Sequence, residues 1–431
     1  MRGGKNMSFE IFENKSIDEK YYYKKHKSGL DVYVIPKNHG TGYAVFGTKF
    51  GSIDNNFRVN GEEMRIPDGI AHFLEHKMFE NEDGIDTFKK YAKYGASANA
   101  YTSSDITVYL FSATANMTEN LEILLDFVSH PYFTKETVDK EQGIIGQEIR
   151  MYDDNPNWRL YFNMLRAMYK NHPVSIDTAG TVETIAEITA ETLHKTYATF
   201  YNLRNMALCV CADITPEEVE KVCDAVLKEA PELNVERIYP DEPKAVNLPE
   251  ISEKMQVSMP MFAVGIKDPV QFEEGEALAK KSAEMSIILR IIFGKASDFY
   301  SRLYSDGTIN SSFSAAFDAH SAFSYTEISG LAKDPDKVYG EILAEIERYK
   351  EKGIDAEEFN RTKRALYAAS VRVFDSTDDI ANSFLAYLFC GCNLLSESSV
   401  IASVTLEDVN ERLRTAFPKE AFAISKVLPL E

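Results

Sequence analysis

Residues 69–76 read Gly-Ile-Ala-His-Phe-Leu-Glu-His, and the spacing of His72, Glu75 and His76 constrains this chain more than any other stretch. On a helix, residues four apart share a face and residues three apart are neighbours, so two imidazoles can grip one ion with a carboxylate beside it. Ile70, Phe73, Leu74 and Met78 make the segment apolar over much of its circumference, which predicts burial. Two imidazoles and a carboxylate in such a helix need partners, and one metal ion supplies them most economically. With only 8 His in 431 residues, composition alone gives this pattern about 0.01 times per chain. The arrangement is that of a zinc hydrolase.

A chain of 431 residues is long for one core and comfortable for two domains of about 200 residues each. Its 44% hydrophobic and 26% charged residues are those of a folded soluble protein. No run approaches the ~20 apolar residues of a membrane span. The start, Met1 to Ser8, lacks an apolar stretch followed by a cleavage site, so cytoplasmic residence is the expectation. The net charge of −20 opposes binding to nucleic acid or to an anionic membrane and favours neutral or basic partners. The five cysteines, Cys209, Cys211, Cys223, Cys390 and Cys392, include no C-x-x-C pair, which argues against a disulfide framework and a structural zinc site. Cys209 and Cys211 alternate within Ala207–Ala212 and read as strand core.

Two similar halves can be read from the periodicity. Gly42 to Phe50 and Thr107 to Ala113 alternate as strands do, with helical runs at Ile70–Phe79, Thr118–Val128 and Thr134–Tyr152. The order returns as strand-like Met259–Ile266, a long helical run Glu273–Tyr304, strand-like Ser311–Phe317 and Tyr325–Ala332, then helices Pro335–Lys352 and Asp355–Val373. Thr134 and Asp355 are matching helix caps, each followed by early acidic residues that suit the positive end of a helix. Superposing them sets Ala369 opposite Glu148, and the second half has no H-x-x-E-H, so only the first half can carry the metal. The expected fold is α+β: two duplicated half-domains, each a mixed, largely antiparallel sheet with helices packed on one face. The expected division is a metal-binding half at 1–230, an extended proline-bearing linker at 231–254, and a half without metal at 255–431.

Catalytic zinc usually has three protein ligands and a water, so the two histidines require a third residue. Glu141 and Glu148 are seven apart, two helical turns, on a face flanked by Ile144, Ile145 and Ile149. One of these carboxylates can bind the ion while the other accepts a hydrogen bond from a ligating imidazole and fixes its tautomer. Upstream, the small residues of Gly95–Thr102 with polar Asn99 form a strand that can accept an extended, unstructured peptide at a sheet edge.

His72-x-x-Glu75-His76, the downstream pair Glu141 and Glu148, and the duplicated halves together resemble the pitrilysin/insulinase family of inverzincin peptidases, which includes the mitochondrial processing peptidases and small bacterial relatives. Gly95–Thr102 resembles the family's edge strand, and His172-Pro173 with Gly180-Thr181-Val182 resembles another family block. The resemblance implies that His72, His76 and Glu148 are ligands of one Zn2+ per chain. It implies that Glu75 is the general base and that Glu141 serves catalysis from behind a ligand. It also places Asn99 and Ala100 on the strand that receives substrate. The implied activity is that of a zinc-dependent endopeptidase cleaving unstructured peptides or precursor leader segments in a chamber formed with a second subunit.

Self-sufficient members carry an Arg and a Tyr that hold substrate, in a region resembling Ser297–Asn310. Here the Arg position is Tyr304 and the Tyr position falls near Asn310 or Ser311, with Arg302 as a substitute. The resemblance therefore implies the zinc subunit of a heterodimer whose homologous partner bears the Arg/Tyr clamp, a homodimer being the other form. The alternative class is a non-catalytic binding or assembly subunit of a peptidase complex. An intact H-x-x-E-H with both glutamates counts against it.

Overall fold

A computed structural model describes residues 8–430 apart from Gln271, so the first seven residues, on which the expectation about the chain's start rests, lie outside the described residues. The chain forms two compact units. The first takes residues up to Ile149, Asp177–Tyr239 and Val371–Phe389, and the second takes Arg150–Ile176, Pro240–Ser370 and the residues from Cys390 onward.

The first unit contains β1 (Glu10–Asn14), β2 (Glu19–Lys25), β3 (Asp31–Pro36), β4 (Gly42–Thr48), β5 (Asn56–Val59), β6 (Glu62–Arg65), β7 (Ser97–Thr102), β8 (Thr107–Ala113), β9 (Met206–Ala212) and β10 (Val235–Arg237). Seven of these form a sheet in the order β1-β2-β3-β9-β4-β8-β7, and β10-β5-β6 form a small second sheet. The second unit's sheet has the order β11-β15-β12-β14-β13, from β11 (Glu250–Met255), β12 (Met261–Lys267), β13 (Ser314–Ala319), β14 (Ser324–Leu331) and β15 (Phe422–Pro429). In each large sheet one pair is parallel, β3 with β9 and β11 with β15, and every other pair is antiparallel. The runs β3-β9-β4-β8-β7 and β11-β15-β12-β14-β13 thus match in order and in direction, which is the duplication expected from the periodicity. Strand β9 reads Met-Ala-Leu-Cys-Val-Cys-Ala and is buried throughout, Cys209 and Cys211 included, as a central strand flanked on both faces must be.

The main helical layer lies on one face of each sheet. In the first unit, a Cβ on Gly42 would meet Met117 of the helix Met117–Ser129. In the second, Phe262, Val264 and Ile266 pack with Ile287, Ile288 and Ile291 of the helix Gly275–Phe293. The opposite face, which sequence reasoning left bare, carries one further helix in each unit. A Cβ on Gly47 would stand 2.5 Å from Leu385 Cδ2 of the helix Thr377–Phe389, and one on Gly265 would stand 2.5 Å from Met168 Sδ of the helix Pro156–Met168. A glycine within β4 and within β12 is what lets each helix seat so close. Phe384 completes the first contact, its ring 5.0 Å from those of both Tyr21 and Tyr33.

The observed division therefore differs from the expected cut at 1–230, 231–254 and 255–431 in two respects. Helix Pro156–Met168 belongs to the second unit and helix Thr377–Phe389 to the first, so the repeats exchange one helix each. The stretch 231–254 is no free linker. Arg237 Nε and Tyr239 Oη donate to buried Asp54 at 2.8 and 2.9 Å. Further on, buried Lys267 Nζ donates to Glu242 Oε1 at 2.7 Å and to the carbonyls of Pro243 and Ala245. The helical run Glu273–Tyr304 is likewise two helices, Gly275–Phe293 and Asp298–Ser305, because Gly294 ends the first and the Ser297 side chain caps the Tyr300 N–H of the second. No single helix among the described residues is long and apolar enough to cross a membrane.

Candidate metal centre

The motif helix spans Ile70–Lys77 and buries Ile70, Ala71, His72, Phe73, Leu74 and Lys77. Its start is fixed without a side-chain cap. Gly69 takes φ 90°, and a Cβ there would stand 2.5 Å from the carbonyl oxygen of Ala179, so only glycine fits this left-handed, crowded position. Asp68 just before it accepts from Asn55 Nδ2 and Arg65 Nη2, both at 2.9 Å. Buried Lys77 pairs with Glu80 at the far end.

The second contributing helix, Lys135–Asp153, begins at the expected cap. Thr134 Oγ1 accepts from the Thr137 N–H at 3.2 Å while Thr137 Oγ1 accepts from the Thr134 N–H at 3.1 Å. Gln142 ties this helix down by donating to the carbonyls of Ile185 and Ile188 at 3.2 and 3.0 Å. Glu141 is buried, and Glu148 follows it two turns later on the same side.

These helices bring together His72, His76 and Glu148, whose donor atoms all lie within 4.8 Å of one another. His76 Nε2 is 3.4 Å from Glu148 Oε2, and His72 Nε2 is 3.8 Å from Glu148 Oε1. Arms of about 2.0–2.1 Å around a tetrahedral ion give edges of roughly 3.3 Å, so the donor set fits zinc in chemistry and in size. His76 Nδ1 is 3.1 Å from Glu141 Oε1, which places the ring proton on Nδ1 and leaves the Nε2 lone pair for an ion. His72 is held differently: its Nδ1 is buried with no hydrogen-bond partner among the described residues. The second unit contributes no comparable group among the described residues.

Electrostatics separate the two imidazoles. Burial, reinforced by neighbouring His76, pushes the pKa of His72 down to about 4, so that ring stays neutral and can act as a ligand. Burial also opposes charge on His76, but its hydrogen bond to the Glu141 carboxylate and the charges of Glu148 and Glu75 outweigh it and hold its pKa above the ordinary value. Burial raises the pKa of Glu75 against the opposing effects of the Thr102 hydrogen bond and of His76, which makes its carboxylate a stronger base than a solvated one.

Glu75 lies one helical turn from His72, and its Oε2 accepts from Thr102 Oγ1 at 2.7 Å. The spacing of the motif gave no sign of this contact, because Thr102 arrives from β7 through the tertiary fold. Strand β7 stands last in the sheet order, so its outer side has no strand partner among the described residues. Asn99 is exposed on it, and the Ala100 N–H donates to the Asn99 side-chain oxygen at 2.9 Å. In the second unit, Arg302 is engaged with Glu341 at 2.9 Å, and Tyr304 is exposed and stacked on Tyr300.

The profile described as "Insulinase (Peptidase family M16)" matches residues 62–182, which contain the motif, Glu141 and Glu148, and that described as "Peptidase M16 inactive domain" matches 187–366. The uncharacterized zinc protease YmfH of Bacillus subtilis is 42% identical over 97% of this chain and 98% of its own length. Zinc protease PqqE of Helicobacter pylori is 26% identical over 86% of this chain and 85% of its own. A crystal structure described as that of an M16-like peptidase from Alicyclobacillus acidocaldarius superposes with a TM-score of 0.92 at 35% identity, covering 99% of both chains. With the histidine and glutamate constellation in place and the likeness running the length of the chain, this protein belongs to the insulinase family of zinc peptidases, peptidase family M16.

Proposed function

We infer that the chain is a zinc-dependent endopeptidase that cleaves unstructured peptides or precursor leader segments. The observation that carries this reading is the convergence of His72 and His76 of one helix with Glu148 of another, Glu75 lying beside the two histidines on the motif helix. His72, His76 and Glu148 would hold the ion, and Glu141 orients His76 through its Nδ1 proton. When bound, zinc polarises the scissile carbonyl and brings the pKa of a water toward 7. Glu75 takes a proton from the attacking water as the new C–O bond forms. It returns the proton to the amine nitrogen as the C–N bond breaks, so one water is added across one peptide bond. The edge strand β7 receives the substrate backbone, an incoming strand replacing the bond between Asn99 and the Ala100 N–H.

The engagement of Arg302 with Glu341 supports the further reading that a homologous partner supplies the substrate clamp and closes the chamber. A purely binding or assembly role has no use for a base held by its own hydrogen bond beside the metal ligands. Digestion of a mixed peptide library by the chain alone, by the chain with a co-encoded homologue, and by each with a chelator tests the proposal. Chelator-sensitive internal cleavage, faster with the partner, is expected. No cleavage in any arm by zinc-loaded protein would overturn the peptidase reading, and full activity of the chain alone would remove the partner.

A further inference from the structure

Glu75 is anchored by a contact that lies outside the metal-binding set. Thr102 Oγ1 donates to Glu75 Oε2 at 2.7 Å. A β-branched side chain in a strand is stiff about χ1, so the place of this hydroxyl is set by the backbone of β7. That backbone is itself pinned. Thr102 pairs with Thr107 in the β7–β8 register, and Ser103 N donates to the Ile106 carbonyl at 2.8 Å to close the turn between them. Ser52 N and Ile53 N donate to the carbonyls of Ser103 and Ser104 at 3.1 and 2.9 Å, bracing the turn from outside.

A chain of buried hydroxyls backs the contact. Thr107 Oγ1 lies 3.5 Å from Thr102 Oγ1 and donates to the Phe50 carbonyl at 2.9 Å. Tyr201 hydrogen-bonds to Thr107, and its hydroxyl is 2.8 Å from that of Tyr109. Each hydroxyl in the chain therefore has a partner, as buried polar groups require.

We propose that Thr102 is a positioning residue for Glu75, tying the base to the strand that receives the peptide. With Oε2 held by Thr102, Oε1 is the oxygen left to exchange protons with the reacting water. Because the holding residue closes β7, a peptide docked on that strand has its scissile bond and the base set by one piece of backbone. The proposal rests on the peptidase reading and goes beyond it, since a zinc site needs no such link to bind metal.

The test compares Thr102→Ser, Thr102→Ala and Thr102→Val by steady-state kinetics on an internally quenched peptide, with zinc content and melting temperature measured for each. Loss of the hydroxyl lets the base wander, and misplacement on this scale costs kcat about 10- to 100-fold. Thr102→Ala and Thr102→Val are expected to show that loss with stoichiometric zinc and KM within about twofold of wild type, since only a step after binding is touched. Thr102→Ser keeps the hydroxyl and is expected to recover most of kcat. If Thr102→Val fails to fold, the Ser and Ala variants decide between hydroxyl and volume. Equal kcat for Ser and Ala, whether high or low, would overturn the proposal.

Crystal structures of the zinc-loaded Ser and Ala variants read the same point without turnover. Glu75 in its wild-type place in Ser and displaced in Ala supports the proposal, and Glu75 unmoved in Ala contradicts it. Inactive wild-type enzyme would count against the peptidase reading, and these structures would still decide the role of Thr102.

Discussion

His76 Nδ1 and Glu141 Oε1 stand 3.1 Å apart, and this contact turns the other ring nitrogen toward Glu148, 3.4 Å away. The two glutamates, indistinguishable by spacing, thereby take different places: one behind the imidazole, the other in front of it. Glu141→Gln keeps an acceptor but removes the charge that makes His76 a better ligand. Zinc affinity is expected to fall by about 10- to 100-fold, measured by competition with a chromophoric chelator. Glu148→Ala should lose stoichiometric zinc under the same conditions. Equal affinity for wild type and both variants would contradict the placement.

Glu75 stands outside the group His72, His76 and Glu148 that would bind the ion. Glu75→Gln should keep one zinc per chain by elemental analysis while kcat drops by at least about 10²–10⁴-fold, the range typical of a lost general base. A fully active Glu75→Gln enzyme would remove this residue from the chemistry.

His172 makes the second unit sensitive to acid. Burial and the nearby Lys267 push its pKa down to about 4, against the pull of Glu242. A depressed histidine pKa means that the unfolded chain binds the proton more readily. The contribution to stability is therefore whole above the unfolded value near 6.5 and is lost as pH falls toward 4. The loss is on the order of 3 kcal/mol. His172→Asn keeps an acceptor for the Val174 N–H, which the His172 ring accepts at 3.2 Å, and does not titrate. Urea unfolding at pH 7 and pH 4 should show a smaller acid loss for the variant than for wild type.

Gly47 and Leu385 test the exchanged helix. A side chain at 47 collides with Leu385 Cδ2, so Gly47→Val should cost about 1–3 kcal/mol of stability by urea unfolding. Leu385→Ala alone should also destabilise by leaving a cavity. The double variant should be less damaged than the sum of the two, and strict additivity would show that the helix does not rest on this glycine.

The candidate site was legible because helical spacing is local: His72, Glu75 and His76 share eight residues, and Glu141 and Glu148 share two turns of another helix. The caps at Thr134 and Asp355 were legible for the same reason, and Asp355 Oδ1 accepts from the Glu357 and Glu358 N–H groups. The role of Thr102 was not, since it meets Glu75 only after β7 is laid beside the motif helix, and one threonine in an edge strand carries no mark of its partner. Nor was the exchange of helices Pro156–Met168 and Thr377–Phe389. Their apolar faces predict burial, but amphipathicity does not say against which of two similar sheets a helix lies. The strands within 231–254 escaped notice because prolines at 231, 240, 243 and 249 hide two short pairings, β10 with β5 and β11 with β15.

Anomalous diffraction at the zinc edge, from crystals of the zinc-loaded Glu75→Gln chain, tests the whole account at its centre. One peak within bonding distance of His72 Nε2, His76 Nε2 and a Glu148 carboxylate oxygen, with Glu141 against the far side of His76, is the expected result. A peak that excludes Glu148 or either imidazole, or zinc bound only elsewhere on the chain, would contradict it.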